Sequence, residues 1–459
     1  MYLHDTIVAP ATASGPAALA IVRISGPRAL ELLHRVWRGS SGAELAPRKL
    51  VLGRIYDPGT EAALDQALAV YMPAPRSFTG EDVVELHCHG GDYVVRRVTG
   101  LVVGQGARFA ERGEFTRRAF LNGRLDLSQA EAIADLVAAR SDRALKLALD
   151  GLAGVLAARV SRLRARSIAV RARLEAQIDF PDEDLPAPCQ DELLASLAEL
   201  RADVGLLLDS FRRGQRIRDG ARVAIVGKPN AGKSSILNLL LGSERAIVTA
   251  VPGTTRDLIE ASISLGGDWA TLIDTAGIRD AANEVEEIGI QRALKAAAEA
   301  DLLLAVFDSS TSLEPDDRHV IQLTHGRAGL GILNKSDLPA KTSREQLRAA
   351  GLQMPTLRLS ALRAESAPVL RDGLSTSFQS LDGDTPSDSL SISRERHRLA
   401  LEQAKQSLER ACKAVKSSMP PEVVTVDLNA ASNALASITG EITNEDVLDR
   451  IFSEFCVGK

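Results

Sequence analysis

The chain has 459 residues, 45% of them hydrophobic and 25% charged, with a formal net charge of −5. Such a length admits roughly three domains, and the acidic balance argues against tight, autonomous nucleic-acid binding, which draws on a basic surface. Cys88, Cys189, Cys412 and Cys456 form no C-x-x-C pair, which speaks against a zinc site or disulfide framework. No apolar run reaches the ~18 residues of a membrane span, and no basic-then-apolar signal opens the chain, so a cytoplasmic protein is expected.

Residues 1–120 read as mixed α/β. Strands are expected at Ala18–Ile24, Leu50–Tyr56, Ala67–Met72 and Val83–His87, with a helix after Gly90-Gly91. His87 and His89 flank Cys88 there and read as structural. From Leu125 the texture turns to long helices. Ser128 and Glu131 are spaced as a capping box, and Ile133, Leu136 and Val137 continue a helical face. Leu152, Leu156, Val160, Leu163, Val170, Leu174 and Ile178 extend it until the acidic stretch from Pro181 to Pro188 breaks it. A further helix runs through Leu193, Leu197, Leu200, Val204, Leu207 and Phe211.

At Arg222 the period returns to strand. Arg222–Val226, Ala270–Ile273, Leu302–Phe307, Leu330–Leu333 and Thr356–Leu359 alternate with helical segments, the rhythm of a doubly wound, mostly parallel sheet. Residues 375–390 read as a Ser/Asp/Gly-rich linker. Helical spacing then resumes through Leu401, Ala404, Leu408, Ala411 and Val415. The helical blocks at 125–212 and 391–459 share a texture, so the α/β module is read as inserted into one helical domain. The expected domains are 1–120, a first helical part at 121–215, the nucleotide module at 216–380 and a second helical part at 381–459.

Four motifs in that module follow apolar runs in order: Gly227–Ser234 (G-K-P-N-A-G-K-S), Asp274-Thr275-Ala276-Gly277, Asn334-Lys335-Ser336-Asp337 and Ser360-Ala361-Leu362. Together they specify a P-loop guanine-nucleotide site. Gly227 and Gly232 let backbone N–H groups turn onto phosphate oxygens at a helix N-terminus. In that cradle Asn230, Ala231, Gly232, Lys233, Ser234 and Ser235 are the contacts, with Lys233 on the β- and γ-phosphates and Ser234 on Mg²⁺. Asp274 can hold Mg²⁺ through water, and Gly277 lets the backbone approach the γ-phosphate. Between them lie Thr249, Ala250, Val251, Pro252 and Gly253, then Thr254 and Thr255, where a threonine can complete the Mg²⁺ shell when triphosphate is present. Asp337 decides the base: its carboxylate matches the paired donors of guanine and leaves adenine unmatched. Asn334 can bond the base's ring nitrogen, Lys335 can cover the ring, Ser336 is structural, and the Ala361 N–H is a candidate for the guanine oxygen.

Ile278 stands where small GTPases usually carry the water-positioning Gln, so another group must orient the nucleophile. Acidic candidates follow in Asn283-Glu284-Val285-Glu286-Glu287. Arg256 and Arg279 read as surface ion pairs. A monovalent cation can supply the missing positive charge, with Asn230 as a ligand.

The whole chain resembles the MnmE (TrmE) family of tRNA-modification GTPases. The likeness rests on Asp5-Thr6-Ile7-Val8-Ala9, Arg23-Ile24-Ser25-Gly26, Ser77-Phe78-Thr79-Gly80-Glu81-Asp82, Gly113-Glu114-Phe115-Thr116, Ala119-Phe120-Leu121-Asn122, Gln129-Ala130-Glu131-Ala132, Asp179-Phe180-Pro181-Asp182 and Phe455-Cys456-Val457-Gly458-Lys459. It implies a folate-binding, dimerising N-terminal α/β domain, a helical-bundle middle domain and an inserted P-loop GTPase domain. It implies K⁺-activated GTP hydrolysis with an FAD-containing partner, MnmG (GidA), in a heterotetramer. The product is an aminomethyl-type group on the wobble uridine of certain tRNAs, drawn from a tetrahydrofolate derivative, with tRNA bound through the complex. By position, Arg23, Glu81, Arg124 and Lys459 match the folate contacts, although the family pattern has lysine at position 124. Asn230, Thr249, Val251 and Thr254 match K⁺ ligands, Ser234 and Thr255 match Mg²⁺ ligands, and Glu286 matches the residue that organises the attacking water. Asn230, Lys233 and Glu286 are the catalytic set. Cys456 reads as a small buried residue, or else as a reactive thiol near the folate site. Two other functions compete: a ribosome-assembly GTPase binding rRNA directly, and a folate-sensing regulatory switch.

Overall fold

The computed structural model describes residues 5–40, 45–179, 189–242, 260–265, 267–274, 297–381 and 390–459. They divide into two units, one of Met1–Val137, Leu149–Ala202 and Glu402–Lys459, the other of Ala138–Ala148 and Asp203–Leu401.

The first unit opens with β1 (Ile7–Pro10), β2 (Ala17–Ser25), β3 (Trp37–Gly39), β4 (Val51–Tyr56), β5 (Ala63–Met72), β6 (Val83–Gly90) and β7 (Arg108–Phe109). They form one sheet in the order β3-β4-β5-β6-β2-β1-β7, antiparallel except at the β1–β7 pair. Alternate residues such as Val22, Ile24 and Leu86 point to one face, where Leu32, Leu33 and Val36 of helix Ala29–Val36 and Val98 and Val102 of helix Asp92–Gly104 cover them. Cys88 joins that core, and burial pushes its thiol up to about 11. The neighbouring histidines alternate outward: His89 Nδ1 lies 2.6 Å from Asp65, and His87 lies near Glu85. Among the described residues no cluster of metal-ligating side chains occurs. β1, β3 and β7 were not anticipated, since two to four residues carry too little periodicity to be seen.

The helical scaffold corrects three expectations. Helix Leu127–Ala138 is capped by Asp126 and Gln129, whose side chains exchange bonds with each other's backbone N–H at 3.0 Å. Ser128 and Glu131 are buried within it instead, and the Ser128 hydroxyl donates to Asp126. The run from Leu152 to Ile178 is split into helices Asp142–Leu152 and Val155–Asp179, because Gly154 adopts φ +79, which ends the first. The last predicted helix of the block likewise stops at Asp209, and Phe211 begins a separate helix, Phe211–Asp219. The Pro181–Pro188 stretch lies outside the described residues.

Helix Val155–Asp179 lies against helix Pro421–Thr439. Ser432 donates to Ser167 across 265 residues of sequence, Arg171 donates to Asn429, and Arg164 pairs with Glu441. The bundle therefore closes from both sides of the module, which makes the module an insertion. At the C-terminus, Phe452 and Phe455 pack on Leu127 and Ala130, the Val457 backbone bridges to Arg112, and Gly458 (φ +95) meets the Pro10 carbonyl so closely that a Cβ would lie 1.9 Å from it. Cys456 is exposed on this tail. The burial reading of Cys456 was wrong: the tail is held by Phe455 and Gly458 on either side, leaving position 456 outward.

The second unit contains β8 (Ala221–Val226), β9 (Glu260–Leu265), β10 (Asp268–Asp274), β11 (Leu302–Asp308), β12 (Gly329–Asn334) and β13 (Thr356–Arg358), ordered β13-β12-β11-β8-β10-β9. All pairs are parallel except β9–β10. β11 and β12 are buried at every residue, as expected of strands covered on both faces. Ile236 and Leu240 of helix Lys233–Gly242 with Leu370 and Leu374 of helix Ser366–Ser380 cover one face; Val320, Ile321 and Leu347 cover the other. The predicted linker is corrected here, since residues 375–380 belong to helix Ser366–Ser380. Thr376 and Ser377 fold their hydroxyls back onto the Asp372 and Gly373 carbonyls, so a polar composition that reads as loop is accommodated inside a helix.

Candidate guanine-nucleotide site

The parallel strands deliver their carboxyl ends to one edge of the sheet, where open α/β sheets bind ligands. β8 runs into Gly227, β10 ends at Asp274, β11 at Asp308 and β12 at Asn334. Parallel register sets Asp308 beside Asn334 and Asp274 beside Ile225. Gly227, Asp274 and Asn334, which open three of the motifs, thus come to one edge because each ends or follows a strand of the same sheet.

The cradle bends through Asn230 (φ +59) and Gly232 (φ +97) before helix Lys233–Gly242 begins. Asparagine tolerates a left-handed backbone better than most residues. The Lys233 ammonium donates to the Gly227 carbonyl at 2.8 Å and the Lys228 carbonyl at 2.9 Å, so it is held over the loop it serves. Ser234, in the first helical turn, is exposed, and Ser235 follows it. Asn334 is buried, and one of its amide hydrogens goes to the Ala231 carbonyl at 2.9 Å. Its oxygen accepts the Ala361 N–H at 3.0 Å. The Ala361 donor expected to meet guanine is thus engaged with Asn334, which ties the cradle to the Ser360-Ala361-Leu362 loop.

Gly232 is required at this contact. A Cβ there would lie 2.2 Å from Asn334 Nδ2, on a backbone at φ +97. Gly232→Ala should therefore push the buried amide off Ala231, and an unsatisfied buried polar group costs ~1–3 kcal/mol. The expected result is GTP binding weakened ~10- to 100-fold, read by titration with a fluorescent GTP analogue; unchanged affinity would show that the latch is dispensable.

The base-reading loop is built on Lys335 at φ +60. Its ammonium meets Asp308 at 2.6 Å, and burial would push the Asp308 carboxyl up, but bonds from Lys335 and Ser310 hold it below the usual carboxylate range. The Ser336 N–H donates to the Leu359 carbonyl, a structural role as expected. Asp337 is exposed. The Ser360 hydroxyl bonds it, its own N–H and the charges of Arg363 and Lys335 add to this, and its carboxyl is held below the usual range. It is therefore an ionised, acceptor-only group, the form that can take two N–H donors. Leu362 stands exposed beside this loop at 83%.

Thr249, Ala250, Val251, Pro252, Gly253, Thr254, Thr255, Thr275, Ala276, Gly277 and Glu286 lie outside the described residues, as does the Asp274 side chain.

A second constellation occupies the first unit. Arg23, paired in register with Glu85, donates to it at 2.9 Å and lies over the Phe78 and Phe115 rings at 5.6 and 5.8 Å. Ser25, two residues along β2, donates to Glu81 at 2.7 Å. Arg124 is exposed, and a Cβ on Gly80 would lie 3.3 Å from its Cγ, so Arg124 flanks Glu81 in the chain fold. Lys459 follows Gly458 beside Pro10, whose register partner is Val22. Sequence reading missed Arg118. Its side chain, 3% exposed, joins Asp5, Glu81 and Glu114. Its local pattern shows only Glu114, four residues back on the same helix; Asp5 and Glu81 come from distant segments.

A P-loop followed by a guanine-reading Asn-x-x-Asp loop on a doubly wound sheet defines a P-loop GTPase domain, here carried inside a helical scaffold. A family model described as the MnmE helical domain matches residues 127–456, and one described as the GTP-binding protein TrmE N-terminus matches residues 6–124. The tRNA modification GTPase MnmE of Moorella thermoacetica is 43% identical over 463 residues, covering 100% of both chains. Those of Geobacter sulfurreducens and Natranaerobius thermophilus are 42% and 40% identical over 459 and 458 residues, covering 100% and 99% of this chain and 100% of each relative. The chain belongs to the MnmE (TrmE) family of tRNA modification GTPases.

Proposed function

We infer that this chain binds and hydrolyses GTP in its second unit and that the turnover serves modification of tRNA at the wobble uridine. The observation that carries the reading is the ionised Asp337, set beside the Ser360-Ala361-Leu362 loop and linked through Asn334 to the phosphate cradle. Charge at the base end selects guanine, and the latch brings the selected nucleotide's phosphates under Lys233. With GTP seated, the Lys233 ammonium, which has three donors, reaches phosphate oxygens while the loop carbonyls still orient it, and its charge offsets the charge that develops there.

The donors are hard oxygens, the class that suits Mg²⁺: Ser234 and Thr255 hold it. Asn230, Thr249, Val251 and Thr254 would hold K⁺, which would supply a fixed positive charge beside the phosphates. Glu286 orients the attacking water. The chain acts as a homodimer with FAD-containing MnmG, reaching tRNA through that complex. Arg23, Glu81, Arg124 and Lys459 take a tetrahydrofolate derivative: Glu81 is an acceptor matched to the paired donors of a pterin edge, and Arg23 offers charge beside two aromatic rings.

The test is GTP turnover by the full chain in K⁺ against Na⁺. A cation that replaces an arginine finger is worth a large rate factor, so turnover should be at least ~10-fold faster in K⁺, and Asn230→Ala should erase most of that difference. Equal rates in both salts would remove K⁺ from the mechanism while leaving GTP hydrolysis in place.

A further inference from the structure

The second residue of the P-loop motif, Lys228, does not face the nucleotide. Its side chain is 8% exposed, and its ammonium sits among Asp317 at 2.9 Å, Glu314 at 3.0 Å and the Thr311 hydroxyl at 3.2 Å. Burial would push the lysine down, but bonds from Asp317 and Glu314 outweigh it and raise it. The acceptors belong to one short piece of chain. Glu314 and Asp317 form the capping box of helix Pro315–Leu323, with Asp317 Oδ2 also accepting the Glu314 N–H at 3.0 Å. Asp317 is 2% exposed, and its Oδ1 has no hydrogen-bond partner among the described residues. Such a carboxylate is costly to hold ionised without its cation.

The same stretch of chain grips the base-reading loop. Asp308 holds Lys335, the Ser309 N–H donates to the Asn334 carbonyl, and the Thr311 carbonyl accepts the Thr342 hydroxyl. One residue before Lys228, a Cβ on Gly227 would lie 2.5 Å from the Val306 carbonyl, so the loop entry is pressed onto β11. The 227–228 peptides are therefore fixed from two directions, by β11 at Gly227 and by the carboxylate cage at Lys228. Both of their carbonyls accept from Lys233.

We propose that Lys228 is a positioning residue for GTP: its buried ion pair with Asp317, joined by the more exposed Glu314, ties the entry of the phosphate loop, and through it Lys233, to the Asp308–Asp317 stretch that also holds Lys335. The inference rests on the GTPase reading above and adds to it a residue that touches no nucleotide. Loop geometry set by this clamp acts on di- and triphosphate alike, while guanine selection belongs to Asp337.

The experiment measures the dissociation constant and stoichiometry of fluorescently labelled GDP and GTP, and the ATP competition, on the full chain. Lys228→Met leaves Asp317 unpaired and can impair folding, so Lys228→Met combined with Asp317→Leu removes the pair together. Lys228→Arg retains the charge. Expected for Lys228→Met and for the double variant is a ~10-fold rise in the dissociation constants of both nucleotides at full stoichiometry, with the preference for GTP over ATP unchanged and with Lys228→Arg within about threefold of the parent. A lysine that only stabilises the fold would instead lower the fraction of competent protein and leave the constant of the remainder unchanged. That result, or parental affinity in the folded double variant, overturns the proposal. Failure of the parent chain itself to bind GTP would sink the GTPase reading and is seen separately.

Discussion

Replacing Asp337 by asparagine is expected to lower GTP affinity by about 10²- to 10⁴-fold. The carboxylate is ionised and hydrogen-bonded by Ser360, with Arg363 and Lys335 nearby. In the proposed site it would accept two donors from guanine, and each bond to a charged group is worth ~1.5–3 kcal/mol. Asparagine offers one acceptor and one donor group, so one guanine donor meets an N–H. The same change should favour xanthosine triphosphate, whose ring carries an oxygen where guanine carries its amine. Competition of the two nucleotides for the purified chain and its Asp337→Asn form reads both effects. If the variant kept the parental preference, the base would have to be read elsewhere and the site assignment would fall with it.

The second large effect is expected in the first unit. Arg118→Met should destabilise the fold by about 3–5 kcal/mol, the usual cost of removing one partner from a buried charge cluster. Arg118 is 3% exposed and contacts Glu81 and Glu114, themselves 14% and 11% exposed, as well as Asp5. Arg108 shares Asp5 and Glu114, so the cluster loses its central cation and keeps only a peripheral one. Urea denaturation followed by hydrogen exchange of residues 5–40 and 81–121 measures the loss where it occurs. A variant as stable as the parent would mean that the carboxylates regain water or protonate freely.

The cluster also has a pH signature. Burial pushes the Asp5 and Glu114 carboxyls up, yet bonds from Arg108 and Arg118 outweigh it and hold both below their ordinary values of 3.8 and 4.5. A depressed carboxyl stabilises the fold fully above its unfolded value, and the contribution is lost as pH falls through the folded one. The parent should therefore lose stability below about pH 4.5, and Arg118→Met should lose less over the same window.

Legibility in the sequence followed the range of the forces involved. The P-loop and the Asn334–Asp337 loop were readable because each is a local backbone device: Gly232 and Lys335 at positive φ, a helix N-terminus, a carboxylate on a tight loop. β11 and β12 were readable because strands covered on both faces are apolar throughout. The capping box was misplaced by two residues because Asp126/Gln129 and Ser128/Glu131 both satisfy the spacing, and only burial of Ser128 and Glu131 separates them. β9 was missed although Ala261, Ile263 and Leu265 alternate inward, since three apolar positions among serines are a weak signal.

By itself, the sequence determined the class of this protein: a P-loop GTPase module with an Asn-x-x-Asp loop, interrupting a helical host. Tertiary structure alone decided which charges are buried and whom they serve. Arg118 and Lys228 look like any surface cation in a sequence where a quarter of residues are charged. Each gains its role only when folding buries its charge and sets carboxylates from elsewhere in the chain against it, and Cys456 is exposed for a related reason, since Phe455 and Gly458 take the inward positions on the tail.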